Sequence, residues 1–259
     1  NVAFHAARAL YRDDSLEQVI TYGNRQQDVP GRLIKRIWFQ PAKIFSSLSS
    51  RYYYSMKRMW LDRRTAAYLR HHECDIFHGW THESLRSLEV ARAKGILGIV
   101  DRGYSHPRFS QRILDEEYEI YGVQRHLDAA PRWLRPFDHW RREQEEACRV
   151  FELADHVFVN SQFCYDTFVD EGYPREKLVM IPRGFEVTKY QPRPKPKEVF
   201  RVIFVGLLCV RKGLKYLLEA WSRLNLPKAE LLLVGTLHDE LKPLMTPYLQ
   251  RPDVRHAGF

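Results

Sequence analysis

The feature that most constrains this fold is the stretch 199–213, which has the sequence VFRVIFVGLLCVRKG. Its first half is rich in Val, Ile and Phe and ends at Gly206, a composition typical of a buried β-strand. After Gly213 the sequence LKYLLEAWSRL has the apolar spacing of an amphipathic helix. A strand, a glycine turn and a helix in this order are the repeating unit of α/β folds with parallel sheets.

The turn itself indicates an anion site. Cys209 to Gly213 contain no Ser, Thr, Asp or Asn that would cap the helix, and Arg211 and Lys212 place two positive charges at its start. Unpaired N–H groups at a helix start bind phosphate well. The same turn also occurs in α/β units that bind nothing, and the glycine pattern of dinucleotide or P-loop sites is absent.

Composition limits the classes of protein. The 259 residues suffice for one large or two medium domains, and 44% hydrophobic residues exclude a disordered chain. The apolar runs are too short to span a membrane. The cysteines are scattered at Cys74, Cys148, Cys164 and Cys209, which favours reduced thiols and a cytoplasmic location. A net charge of +9 predicts an acidic partner: nucleic acid, an anionic membrane face or a phosphorylated substrate.

Two regions alternate strands with helices. The first region has predicted strands at 16–22, 33–39, 75–79, 96–102, 156–160 and 178–182, and predicted helices at 3–11, 52–69, 82–94, 109–153 (broken at Pro131 and Pro136) and 161–171. The second region has predicted strands at 200–206, 230–235 and 254–259, and predicted helices at 214–224 and 239–250.

The proline-rich sequence QPRPKPK separates the two regions. We therefore predict a first domain at 1–186, a linker at 187–198 and a second domain at 199–259. The first domain begins on a helix, so we expect its first strand to be missing. The second has three strands, so we expect it to be incomplete.

Histidines and a cysteine cluster around the strand at 75–79. They are His71, His72, Cys74, His78 and His82. His78 and His82 are four residues apart, but Gly79 follows the strand between them, so we do not expect them to share a helix face. We predict no metal site.

The helix at 52–69 mixes aromatic and basic residues, among them Trp60, Arg64 and Tyr68. Such helices bind anionic membranes or nucleic acid, but the pattern favours a helix packed on a sheet with its charges in water.

The strand ILGIVDR leads into Gly103, Tyr104, Ser105, His106 and Pro107. Open α/β sheets bind their ligands at the carboxyl ends of strands. His106 is therefore the strongest single candidate for a polar site residue.

Several motifs in this order carry a resemblance. FVGLLCVRKGLKYLLEAW followed by LLLVG resembles the start of the donor domain of glycosyltransferase family 4, a group of retaining enzymes related to glycogen synthase. ELADHVFVNSQF and EKLVMIPRGFEVTKYQP are similar to the end of the family's first domain and its interdomain crossing, and DIFHGW and VDRGYSHP to its middle strands. The resemblance implies an α/β protein with two Rossmann-like domains of GT-B type, the second incomplete.

The family's site residues carry over onto four positions. The resemblance implies that Lys212 contacts the donor diphosphate and that Gly206 lets the backbone approach it. Leu207 stands where the family often has an Arg, and Arg211 is expected to supply that charge. The resemblance implies that His106 lies beside the reacting sugar, and we predict that it is the catalytic residue, which positions and polarises the reacting groups.

Other family positions differ or fall outside the sequence. Arg183 and Glu186 stand where an Asn and an Asp are usual, which affects the crossing segment. The family's paired glutamates would fall beyond Phe259.

The resemblance implies a hexosyltransferase that moves a hexose from a UDP-, GDP- or ADP-linked sugar to an acceptor hydroxyl with retention, without a metal or other cofactor. It permits an anionic or lipid-linked acceptor and peripheral contact with the inner face of the membrane, and we expect no nucleic acid partner. The alternatives are a catalytically silent GT-B-like binding protein, a basic module for membrane or nucleic-acid surfaces, and a phosphorylase. We expect the 259-residue chain alone to be inactive.

Overall fold

The computed structural model describes residues 2–38, 50–123, 140–185, 187, 194 and 199–258. The chain divides into two compact units. The first holds the described residues within 1–107 and 137–183, and the second holds those within 108–136 and 184–259.

The first unit contains three kinds of element. Its helices are α1 (Val2–Arg12), α2 (Ser50–His71), α3 (Leu85–Lys94), α5 (Trp140–Leu153) and α6 (Gln162–Asp170). Its strands are β1 (Val19–Thr21), β2 (Ile34–Arg36), β3 (Ile76–Trp80), β4 (Leu97–Arg102), β5 (His156–Val159) and β6 (Leu178–Met180). Short 3₁₀ turns lie at Gly31–Leu33, Thr81–Glu83 and Arg175–Lys177.

A parallel sheet in the order β3-β4-β5-β6 forms the centre of this unit, and β1 and β2 form a separate parallel pair. Residues alternate between the two faces of a strand. In β4, Gly98, Val100 and Arg102 are buried while the residues between them are more exposed. The buried face packs against the helices in a core that includes Phe151 and Phe168.

The second unit repeats the same construction on a smaller scale. Its strands β7 (Phe200–Val205), β8 (Ala229–Val234) and β9 (Val254–His256) form a parallel sheet in that order. Its helices are α4 (Pro107–Tyr121), which enters the unit after its first residue, α7 (Leu214–Leu224) and α8 (Lys242–Leu249), with 3₁₀ turns at Val210–Lys212 and Asp239–Leu241.

Amphipathic α7 anchors the second core. Leu214, Leu218 and Trp221 recur at three- and four-residue intervals and are all buried. They pack with Leu231 and Leu233 of β8, both completely buried. The strand–glycine–helix unit predicted at 199–224 is therefore confirmed.

The position of α4 differs from the predicted division of the chain. The prediction places everything up to residue 186 in the first domain, whereas the described residues 108–123 group with the second unit. The physical reason is a pair of tyrosines: Tyr121 is buried in the second core, and Tyr118 packs against it and donates a hydrogen bond to Glu240 Oε2 (2.9 Å). The predicted linker at 187–198 lies almost wholly outside the described residues, as do Pro131 and Pro136.

The predicted elements otherwise agree closely with the structure, and differ mainly at their ends. Ser161 caps α6 as predicted, because its hydroxyl accepts a hydrogen bond from the Cys164 N–H (3.2 Å). Within the described ranges, no helix combines the length and the apolar character needed to cross a membrane.

Candidate functional site

The loop after β4 is built on a buried arginine. Arg102 is 5% exposed, and its guanidinium donates two hydrogen bonds to the Ser105 carbonyl, from Nε (3.1 Å) and Nη2 (2.8 Å). Burial lowers the pKa of Arg102 to about 10, so it stays charged at neutral pH. This charge-assisted pair fixes the turn from Gly103 to His106.

His106 closes the same loop. Its backbone N–H donates to Thr167 Oγ1 (3.0 Å), and that hydroxyl donates in turn to the Cys164 carbonyl (2.7 Å). The imidazole packs edge-on against Phe168, with ring centroids 4.9 Å apart, and His106 is only 6% exposed. The structure thus places His106 at the carboxyl end of β4, as predicted, with its ring packed against α6.

Arg183 covers the beginning of this loop. Its guanidinium lies over the Cα of Gly103, where a Cβ would otherwise project. Burial raises the pKa of Asp101, while His78 and Arg183 oppose that shift. The Arg that departs from the family pattern at 183 therefore contributes positive charge beside the loop.

The turn after β3 carries two partly buried ionisable groups. Burial, together with the positive charges of Arg102 and Arg58, lowers the pKa of His82 to about 3, so the ring is neutral at pH 7. Burial raises the pKa of the neighbouring Glu83. Both groups are held in environments that disfavour their charged forms.

Asp62 of α2 holds the start of α3. Its carboxylate accepts hydrogen bonds from the Arg86 N–H (2.8 Å), the Ser87 N–H (2.9 Å) and the Ser87 hydroxyl (2.7 Å). A carboxylate at a helix start is stabilised by the free N–H groups and by the helix dipole. Asp62 is only 6% exposed, and these hydrogen bonds satisfy its buried carboxylate. The same hydrogen bonds join α2 to α3.

Histidines predicted around β3 take separate positions. His78 is in the strand, stacked on Trp80 with centroids 5.2 Å apart, and His82 is in the following turn. They do not share a helix face, as predicted. In the part of the chain that the structure describes, no three His, Cys, Asp or Glu side chains are grouped to hold a metal ion.

The carboxyl edge of the second sheet is made of glycines. Gly206, Gly235 and Gly258 follow β7, β8 and β9, with φ of 149°, 143° and 72°. A Cβ on Gly235 would collide with the Gly206 carbonyl oxygen. All three φ values favour glycine, so the backbone at this edge carries no side chains.

Arg211 and Lys212 stand on the turn that follows Gly206. Both side chains are exposed, in the 3₁₀ turn that precedes Gly213 and α7. Gly213 adopts a left-handed conformation with φ of 65°. The three predicted diphosphate-binding positions, Gly206, Arg211 and Lys212, lie near one edge of the second unit, and His106, the predicted catalytic residue, belongs to the first unit.

The start of α7 is capped by another helix. No side chain of its own turn caps it, as predicted, but the Lys215 N–H donates to the Tyr121 hydroxyl (3.1 Å). Val210 N–H similarly donates to Glu240 Oε1 (3.4 Å). The sequence predicts that these N–H groups are unpaired and can bind an anion. In the structure, α4 and the turn at 239–241 already supply part of the cap.

Sequence reasoning missed Arg102, Thr167 and Tyr121. Thr167 and Tyr121 act through contacts between residues far apart in the chain, 61 residues for His106 with Thr167 and 94 for Tyr121 with Lys215, whereas Arg102 bonds to Ser105, three residues away. A sequence signal did exist for the edge glycines, because LLLVG and HAGF repeat the strand-glycine ending of FVG.

Solved structures share this fold. One is HepE from Anabaena in complex with UDP, which is 16% identical, with 83% of this chain and 59% of that chain covered at a TM-score of 0.50. Another is the lipopolysaccharide outer core galactosyltransferase WaaB in its apo form, which is 13% identical, with 99% and 63% covered at a TM-score of 0.55. The chain spans about three fifths of the length of these structures. No curated protein matches it.

The central parallel sheet of each unit, with its helices, defines an α/β protein with Rossmann-like domains of GT-B type. The family model of Glycosyltransferase Family 4 matches residues 2–189. The chain therefore belongs to glycosyltransferase family 4, as its motifs indicate.

Proposed function

We propose that this protein is a retaining hexosyltransferase that takes its sugar from a nucleotide diphosphate donor, and that its second unit binds the diphosphate. The observation that carries this proposal is the carboxyl edge of the second sheet. There, three glycines clear the backbone and Arg211 and Lys212 stand exposed on the adjoining turn. HepE, which shares the fold, was crystallised with UDP.

The proposed chemistry follows from the charge that develops on the leaving group. When the bond between the sugar and the diphosphate breaks, the diphosphate gains negative charge. Fixed positive groups at its binding site stabilise that charge and lower the barrier. Arg211 and Lys212 can do this without a metal, so we expect a chelator to leave turnover unchanged.

The sequence predicts a first domain at 1–186, a linker at 187–198 and a second domain at 199–259. In this proposal the two domains have different roles. The acceptor belongs to the first unit, whose strands β3 to β5 deliver Trp80, Gly103 and Asn160 to one edge of the sheet. Retention by attack of the acceptor on the same face demands accurate positioning more than a strong base.

In this proposal His106 positions the loop at that edge. Its ring is buried against Phe168 and its N–H is tied to Thr167, so it fixes the loop from Gly103. We expect His106→Ala to lower kcat strongly in the intact enzyme while donor affinity changes little. Loss of donor affinity without loss of kcat would contradict this role.

Nucleotide binding to the chain is the first test. We expect titration calorimetry to show binding of UDP, GDP or ADP, and Lys212→Gln to weaken it about tenfold or more, the effect of losing one charge-assisted contact. Arg223→Gln is the matched control, because Arg223 is an exposed cation in the last turn of α7. Equal effects of the two variants would overturn the assignment of the diphosphate site.

A further inference from the structure

A cleft between α2 and β2 lies outside the site described above. Its volume is about 430 Å³. The helix side runs from Trp60 to His72, just past the end of α2, roughly 18 Å of helix at 1.5 Å per residue. The strand side runs from Lys35 to Trp38.

The floor of this cleft is apolar and aromatic. It is formed by Ile20, Ile37, Trp60, Ala67 and Tyr68. Ile37 is buried and the others are partly buried, so the floor can shield a ring or a short apolar group from water. Ligand pockets in proteins are usually apolar with a few polar groups at defined positions.

The rim of the cleft is cationic. It carries Lys35, Arg36, Arg64, His71 and His72, all of them exposed, and no carboxylate lines the described part of the cleft. Among the residues that the structure describes, no carboxylate forms an ion pair with Lys35, Arg36 or Arg64. These three charges are available to a ligand, and an anion is the ligand they select.

Aromatic rings hold two of the rim cations in place. Lys35 Nζ lies 4.5 Å from the centroid of Tyr68, and the Arg36 guanidinium lies 4.2 Å from the centroid of Trp38. Tyr68 is stacked in turn on His72, with centroids 3.7 Å apart. Cations held by stacking lose less freedom on binding than free side chains do, which favours affinity.

We propose that this cleft binds a phosphomonoester carried by a sugar or a lipid, with the phosphate at Arg64 and Lys35 and the body of the ligand on the aromatic floor. Arginine matches phosphate oxygens with two parallel N–H donors, and Lys35 adds a point charge. Trp38 is 79% exposed and offers a ring face at the mouth of the cleft. In this proposal the aromatic and basic residues of the helix predicted at 52–69 bind a ligand, and they are not part of the nucleotide site.

The test measures binding of glucose 1-phosphate by titration calorimetry and by quenching of tryptophan fluorescence. We expect Arg64→Gln to weaken binding about tenfold, because one charge-assisted contact is lost. Arg63→Gln is the matched control, since Arg63 is the exposed neighbour on the same helix and does not line the cleft. Glucose itself should bind much more weakly than its phosphate.

A second arm distinguishes a lipid from a soluble source. The chain is sedimented with phosphatidylcholine vesicles that contain or lack phosphatidic acid, which carries the same phosphomonoester. Either probe bound in a manner sensitive to Arg64→Gln and insensitive to Arg63→Gln supports the proposal, and the probe that binds identifies the source. No binding of either probe, or equal binding by both variants, would overturn it.

One more variant distinguishes binding in the cleft from binding at the proposed donor site. Lys212→Gln should leave binding of glucose 1-phosphate in the cleft unchanged while it weakens binding of the nucleotide. Parallel loss of both would show that a single site had been measured and would overturn the proposal for the cleft.

Discussion

The carboxyl edges of the two central sheets are formed in different ways. In the first unit the edge is fixed by buried polar side chains: Arg102 holds the Ser105 carbonyl and Thr167 holds the His106 N–H. In the second unit Gly206 and Gly235 leave the edge without side chains. One edge is held by hydrogen bonds from side chains, and the other is lined by residues that have no side chain. That difference agrees with the proposal in which the first unit positions an acceptor and the second binds a diphosphate.

The largest expected effect comes from filling the glycine edge. Gly235→Ala should destabilise the second unit by about 3 kcal/mol or more, because the new Cβ meets the Gly206 carbonyl and φ is unfavourable for alanine. Denaturant unfolding followed by circular dichroism measures this. Gly172→Ala is the control: its φ of 80° is also positive but the space around it is empty, so about 1 kcal/mol is expected. Equal losses would show that conformation alone matters.

The next effect tests the side-chain foundation of the first unit. Thr167→Val keeps the shape but leaves the buried His106 N–H without its acceptor, so we expect a loss of about 2 kcal/mol in unfolding free energy. Thr246→Val, at an exposed position of α8, should cost well under about 1 kcal/mol. If the two variants unfold alike, the loop does not depend on this hydrogen bond.

A pH dependence should also distinguish the two edges. The folded pKa of His82, about 3, is lower than its ordinary value of 6.5, so between these values the unfolded chain binds a proton that the folded chain does not. The stability contributed by neutral His82 is therefore complete above pH 6.5 and is lost as the pH falls toward 3. At pH 5 the loss should be about 1–2 kcal/mol.

Unfolding free energies at pH 7 and pH 5 test this expectation. His82→Gln should flatten the slope, whereas His71→Gln, at an exposed position, should keep it. An unchanged slope in His82→Gln would assign the acid sensitivity to another group.

The smallest effect concerns the cap of α7. Tyr121→Phe removes the hydroxyl that accepts the Lys215 N–H, and we expect a loss of about 1 kcal/mol, as for other helix caps. Tyr104→Phe is the control, because Tyr104 is 61% exposed. A larger change in nucleotide affinity than in stability would show that the freed N–H reaches the ligand.

Local patterns in the sequence were sufficient to predict the elements. Apolar spacing after Gly213 predicts α7, and the Ser161 position predicts the cap of α6, because both depend on neighbours within one turn. Family motifs predicted the fold and placed Lys212 and Gly206 on one edge. The sequence could not assign α4 to the second unit, because that assignment depends on which core Tyr118 and Tyr121 pack against.

The sequence alone was enough to predict an α/β chain of parallel sheets, a resemblance to glycosyltransferase family 4, and a glycine turn at Gly206 after the first strand of the second sheet. The α/β pattern follows from periodicity and residue type, which act over a few residues, and the resemblance follows from the order of the motifs. Tertiary packing alone brings Thr167 to the His106 loop, Tyr121 to the start of α7, and Arg64 and Lys35 into the lining of one aromatic cleft. Each of these contacts joins distant parts of the chain, and their distances are set by packing, which no local pattern records.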